Sequence, residues 1–213
     1  MPGVAAVFVV RVWLPDRPGA LGAVASRIGA VRGDLIGIDI LETGAGRAID
    51  ELVVSLPSDD LVPLLIKEIQ EVDDVDVEDV RPVRGELPDA RVAALESAAE
   101  LLAQPDAASV CNALVAHVLR DFEADWAAVL GSGADAGLVA TKGDTPSADW
   151  LTAFVAGSGG TGAADTGPDD VAWSPLNDGG SALVIGRDGR PFRSRERRQL
   201  HALAKIVGWR LSP

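Results

Sequence analysis

Between Val7 and Val80 the apolar period switches from two to 3.6 and back, twice over, and this alternation limits the fold more than any single motif. Val7 to Trp13 is rich in Val and Phe and reads as a strand. Leu21, Val24, Ala25, Ile28 and Val31 then recur at helical spacing. They predict a helix from Gly19 to Arg32 that stops at Gly33, a natural C-terminal cap. Ile36, Ile38 and Ile40 alternate within a second strand, Leu35 to Glu42. Thr43 to Arg47 is a hairpin turn, and Leu52, Val54 and Leu56 alternate within a third strand, Ile49 to Leu56. Ser58-Asp59-Asp60 is placed to cap a second helix, with Pro63 in its first turns and Leu61, Leu65 and Ile69 on its apolar face. Val75, Val77 and Val80 mark a fourth strand. The order strand, helix, strand, strand, helix, strand is the ferredoxin-like βαββαβ arrangement. It makes a four-stranded antiparallel sheet with both helices on one face.

The stretch from Leu14 to Gly22 joins the first strand to the first helix. Asp16 is expected to cap that helix, and Pro18 to sit near its first position, where a missing N–H costs nothing. Gly19 has no Cβ, so a ligand or backbone can approach it. The N–H groups of Gly19, Ala20 and Leu21 would then face outward at the positive end of the helix, a place for a carboxylate or phosphate. The Asp16 carboxylate beside them would accept an ammonium group. Donors next to an acceptor suit a free α-amino acid. A turn and cap with no ligand accounts for the same residues, so both readings stand.

Arg84 to Asp89 is polar and broken by Gly and Pro, which places a domain boundary there. The expected organisation is a first domain over 1–84, a linker over 85–91 and a second domain over 92–213. The second half opens with helices Ala90 to Ala103 and Ala107 to Glu123, the latter capped by Asp106. Strands follow at Trp126 to Leu130 and Leu138 to Thr141. After a short helix, Asp149 to Ala156, comes a Gly-rich loop, Gly157 to Gly167. Val171 to Leu176 and Ala182 to Gly186 are further strands, and a last helix runs from Ser194 to Arg210.

The net charge of −13 and pI of about 4.5 repel phosphate backbones and anionic lipid, so nucleic-acid and membrane partners are not expected. No stretch approaches the ~20 apolar residues of a membrane span, and none near the start reads as a signal peptide. A single cysteine fits a reducing, cytoplasmic setting. Cys111 lies among Val110, Ala113 and Leu114 and reads as core. His117 and His201 are far apart and lack the clustered ligands of a metal site. The acids from Asp73 to Asp79 lack the glycine and closing glutamate of a calcium loop, and alternate with Val75 and Val77 like a strand with one wet face. Gly157 to Gly162 lacks the Lys-Ser or Lys-Thr pair of a phosphate loop. Arg193, Arg195, Arg197 and Arg198 read as a solvated basic patch. No catalytic set can be assembled, and neither a metal nor a cofactor is expected.

The first 84 residues resemble an ACT domain. The likeness is carried by the strand Val7 to Trp13, the turn Asp16 to Leu21, the passage Gly33-Asp34-Leu35-Ile36 and the hairpin into Ile49 to Leu56. The resemblance implies a small-ligand site, often for an amino acid, between two copies. The turn after the first strand would give main-chain N–H groups, and the start of strand two contacts from the neighbour. The ligand-binding residues so implied are Asp16, Pro18, Gly19, Ala20, Leu21 and Leu35. Some amino-acid-binding members place a polar amide near Leu35, and this chain departs from them there. The second half is similar to a GAF domain, an antiparallel sheet with flanking helices. That likeness is carried by Trp173-Ser174-Pro175-Leu176, by Ala182 to Arg187 and by Pro191 to Glu196; no ligand residue carries over. The expectation is an α+β, non-catalytic regulatory protein that binds an amino-acid-like ligand. It would self-associate through the edge at Leu35 to Glu42. The alternative is a dimerisation scaffold with vestigial ligand sites.

Overall fold

The computed structural model describes residues 6–83, 90–132, 137–158, 168–177 and 180–212. The chain divides into two compact units, Met1–Leu87 and Pro88–Pro213. The linker expected at 85–91 falls largely on residues 84–89, outside the described residues.

The first unit runs β1 (Ala6–Pro15), α1 (Ala20–Ala30), β2 (Asp34–Gly44), β3 (Arg47–Leu56), α2 (Val62–Gln70) and β4 (Asp76–Pro82). The strands pair antiparallel in the order β2-β3-β1-β4, so the unit is the ferredoxin-like βαββαβ fold. Val10, Val12 and Leu14 alternate onto one face and join Leu52, Val54 and Leu56 of β3. Val24 and Ile28 of α1 and Leu65 and Ile69 of α2 close over them. Each such side chain contributes about 1.5–3 kcal/mol by leaving water.

Local details depart from the sequence expectations. The N-cap of α1 is Gly19, at φ 89°, and no side chain caps this end. Asp16 therefore lies too early to cap, and Pro18 precedes the cap instead of starting the helix. At the far end the left-handed position is held by Arg32 (φ 60°), not Gly33. Gly33 is needed for space, because a Cβ there would lie 2.9 Å from Ile28 Cγ2. Ser58 does not cap with its side chain; its hydroxyl bonds the Asp60 carboxylate. The β2–β3 hairpin turns on Ala45 and Gly46, both at positive φ, the geometry of a type I′ turn.

Register breaks in β2 at Leu35/Gly37 and Ile40/Glu42 leave Ile38 opposite Leu52 and Ile40 opposite Asp50. Ile36, Ile38 and Ile40 are 47%, 45% and 55% exposed on this edge strand. A break in the β1–β4 register follows Arg11↔Asp79 and makes Glu78 the extra residue. The acidic run is thus not one wet face: Glu78 and Asp79 are half-buried and engage cations. Arg11 is buried and donates to Glu51, and Arg81 bridges Glu51 and Asp79. Burial alone would raise the Glu51 carboxyl, but the Arg81 and Arg11 guanidiniums outweigh it and hold the group below its usual range.

The second unit runs α3 (Ala90–Leu102), α4 (Ala107–Asp121), β5 (Trp126–Gly131), β6 (Gly137–Lys142), α5 (Ala148–Ser158), β7 (Val171–Pro175), β8 (Ala182–Gly186) and α6 (Ser194–Leu211). Its antiparallel sheet has the order β6-β5-β8-β7. Val129, Leu183 and Ile185 pack on one face with Leu114 and Val118 of α4 and Leu200 and Val207 of α6. Ala128 and Val184 pack on the other face with Leu151 and Phe154 of α5. Asp106 caps α4 as expected, accepting from Ser109 N–H at 2.8 Å. Gly157 and Ser158 belong to α5, not to the expected loop, and residues 159–167 lie outside the described ones.

Candidate functional site

The chain leaves β1 at Pro15 and reaches α1 through four exposed residues, Asp16, Arg17, Pro18 and Gly19. Asp16 N–H donates to Gly46 O at 2.9 Å, which ties this turn to the β2–β3 hairpin. Arg17 N–H bonds Pro15 O, and Ala20 N–H bonds Arg17 O at 3.3 Å. Of the three N–H groups expected to be free, that of Ala20 thus closes the turn. The N–H groups of Gly19, Leu21 and Gly22 have no acceptor among the described residues. They stand at the positive end of α1, where an anion is favoured by about 0.3–1 kcal/mol. The side chains of Ala20 and Leu21 turn inward onto the core, so these residues offer main chain only. Leu35 also packs against that core and lies opposite Val54.

In β3, opposite Val12 of the strand that leads into the turn, stands a residue that the motif reading missed. Asp50, in β3, is 3% exposed, and its Oδ1 is buried with no hydrogen-bond partner. Its neighbours across the sheet are Val12 and Ile40, which have no side-chain donors. Burial, and secondly repulsion from Asp16, push the Asp50 carboxyl above its ordinary range. The pattern contained the signal: Leu52, Val54 and Leu56 share the helix face, and two residues back along that face is Asp50.

Polar chemistry in the second unit is turned inward. Arg187 donates to Phe122 O (2.7 Å), Arg190 O (2.8 Å) and Pro191 O (2.9 Å), and pairs with Glu196. Arg197, expected in a solvated patch, is buried and donates to Val171 O at 3.0 Å and Phe192 O at 3.3 Å. Its place in α6, three residues before Leu200, is on the buried face. His117 is buried, with Nδ1 3.2 Å from Ser97 Oγ and Nε2 3.1 Å from Glu100. Arg120 also lies 2.8 Å from that Nδ1, and Ser97 Oγ donates to Asp121 at 2.6 Å. These contacts leave the serine hydroxyl and the imidazole tied to one another and to the chain. His201 is exposed, 2.9 Å from Ser174 Oγ. Burial raises the Cys111 thiol, which keeps it protonated and unreactive. A cavity of about 380 Å³ lies between α3 and α6, lined mainly by apolar side chains such as Leu95, Ala98, Phe122 and Leu203.

No model of a known protein family matches the chain, and neither does any curated protein. Solved structures do match, at low identity. The ACT domain of GTP pyrophosphokinase from Chlorobium tepidum is 15% identical, with a TM-score of 0.30, over 38% of this chain and all of that one. The GAF domain of a phosphoenolpyruvate-protein phosphotransferase from Coxiella burnetii is 15% identical, with a TM-score of 0.44, over 58% of this chain and 92% of that one. An unknown protein from Galdieria sulphuraria is 16% identical, with a TM-score of 0.34, over 46% of this chain; the match spans 65% of that protein's length. The chain is thus similar to ACT and GAF structures.

Proposed function

We propose that this is a non-catalytic regulatory protein whose first unit binds a small amino-acid-like ligand at the turn between β1 and α1. The observation that carries the reading is the juxtaposition at that turn. Free N–H groups of Gly19, Leu21 and Gly22 sit at a helix N-terminus beside the exposed carboxylate of Asp16. The exposed isoleucines of edge strand β2 support a homodimer, because an apolar strand edge is usually paired or covered. The buried cysteine and the acidic composition fit a cytoplasmic protein without nucleic-acid or membrane partners. One observation favours the scaffold reading: Leu35 is directed into its own core instead of toward a ligand.

Titration calorimetry of the full chain with the twenty amino acids, together with light scattering, tests both. Saturable heat from a dimer that Gly19→Ala abolishes is the expected result. A dimer with no heat for any amino acid leaves the scaffold. A monomer with no heat removes both readings.

A further inference from the structure

We propose that Asp50 is the floor of the ligand site and that, with Asp16, it selects a ligand bearing a primary ammonium group. This deepens the amino-acid reading of the turn and rests on it.

Among the described residues, the other buried charges have partners within the chain. Arg11 has Glu51, Arg187 has Glu196, and Arg197 has main-chain carbonyls. Asp50 is the exception. A carboxylate that is almost wholly inside, with Oδ1 bonded to nothing, is costly unless a donor arrives. Neither neighbour across the sheet brings a donor, since both are aliphatic. The helix face of β3 places the group on the side where α1 packs. Its one charged influence is Asp16, in the turn itself, and that influence is repulsive. Two carboxylates that repel each other make a place for a cation. Among the described residues, no three ligating side chains converge as a bound metal would require. A primary ammonium needs only two or three acceptors, and it brings the donors that Asp50 lacks. The free N–H groups of Gly19, Leu21 and Gly22 accept an anion at the same turn. Two acids that sense each other, one of them in the turn that carries the free donors, thus suit the two ends of a zwitterion, and the acid that decides between an amine and a neutral analogue is Asp50.

The test uses the full chain and three shape-matched panels: free amino acids, the corresponding 2-hydroxy acids, and the corresponding amines without a carboxylate. Calorimetry is run on wild type, Asp50→Asn and Asp50→Ala, with far-UV circular dichroism to show that each variant is folded. The expected result is that one or more amino acids bind wild type. The matching hydroxy acids should bind at least about tenfold more weakly, and both variants should lose about tenfold or more for the amino acid. Unchanged affinity in a folded Asp50→Asn overturns this inference alone and leaves the turn as the site. Equal affinity for hydroxy acids and amino acids overturns cation recognition and leaves an anion site. No binding by wild type to any panel overturns both this inference and the reading on which it rests.

Discussion

Replacing Asp50 by Asn should make the ligand-free protein more stable at neutral pH, although the substitution lies at a buried position. The two side chains have nearly the same shape, so no cavity forms. What changes is the charge. A buried polar group without a partner costs about 1–3 kcal/mol, and Asp50 Oδ1 has none. The amide brings its own unsatisfied N–H groups, so the lower end applies, a gain of about 1 kcal/mol. For a domain the size of the first unit this is a rise of roughly 4–8 °C in its melting temperature. The pH dependence identifies the cause. The folded carboxyl titrates above its unfolded counterpart, raised by burial and then by Asp16. The folded state therefore holds the proton more tightly. Wild type loses nothing below the unfolded value of about 3.9, loses stability as pH climbs from there to the folded value, and keeps the full deficit above it. Calorimetric melts of wild type and Asp50→Asn in steps from acid to neutral pH should coincide in acid and diverge on the way up. A variant no more stable than wild type at neutral pH refutes the reasoning. So does a gap that does not close in acid.

Other expectations follow from the packing. Gly208→Ala would place a Cβ 1.7 Å from Leu176 O. The clash outweighs the ~1 kcal/mol helix-propensity gain, and urea melts should show a net loss of about 2 kcal/mol or more. Ala45→Asn puts an αL-tolerant residue before Gly46 in the I′ turn and should raise stability by about 0.5–1 kcal/mol in the same assay. Arg197→Leu orphans the carbonyls of Val171 and Phe192 and should cost about 2–4 kcal/mol, seen as a lower melting temperature; a solvated arginine would cost almost nothing.

Most of the fold was legible because period and turn chemistry agreed. The alternation through Val10, Val12 and Leu14 and the helical spacing of Val24 and Ile28 both mark positions that the structure buries. The errors came where one residue does a different job from its usual one. Gly33 resembles a helix cap, but crowding against Ile28 is what requires it, and the strained angle falls on Arg32. Asp16 has the composition of a cap but sits one turn too early, because the chain spends Arg17 and Pro18 on a tight bend first. Register breaks, as at Arg11/Val12, leave no mark in composition, so the half-buried ion pairs of β4 looked like a wet face. Charge misled at Arg197, where periodicity pointed inward and chemistry pointed outward, and Asp50, two residues back from Leu52 on the same face, was not singled out at all.

The arginine clamps of the second unit grip carbonyl oxygens, at Phe122, Val171, Arg190, Pro191 and Phe192. Every amino acid supplies that atom. The loops held in this way are therefore free to exchange almost any side chain during evolution while their path is kept. Two buried cations and a tolerant backbone let such a scaffold drift far in spelling without losing its shape.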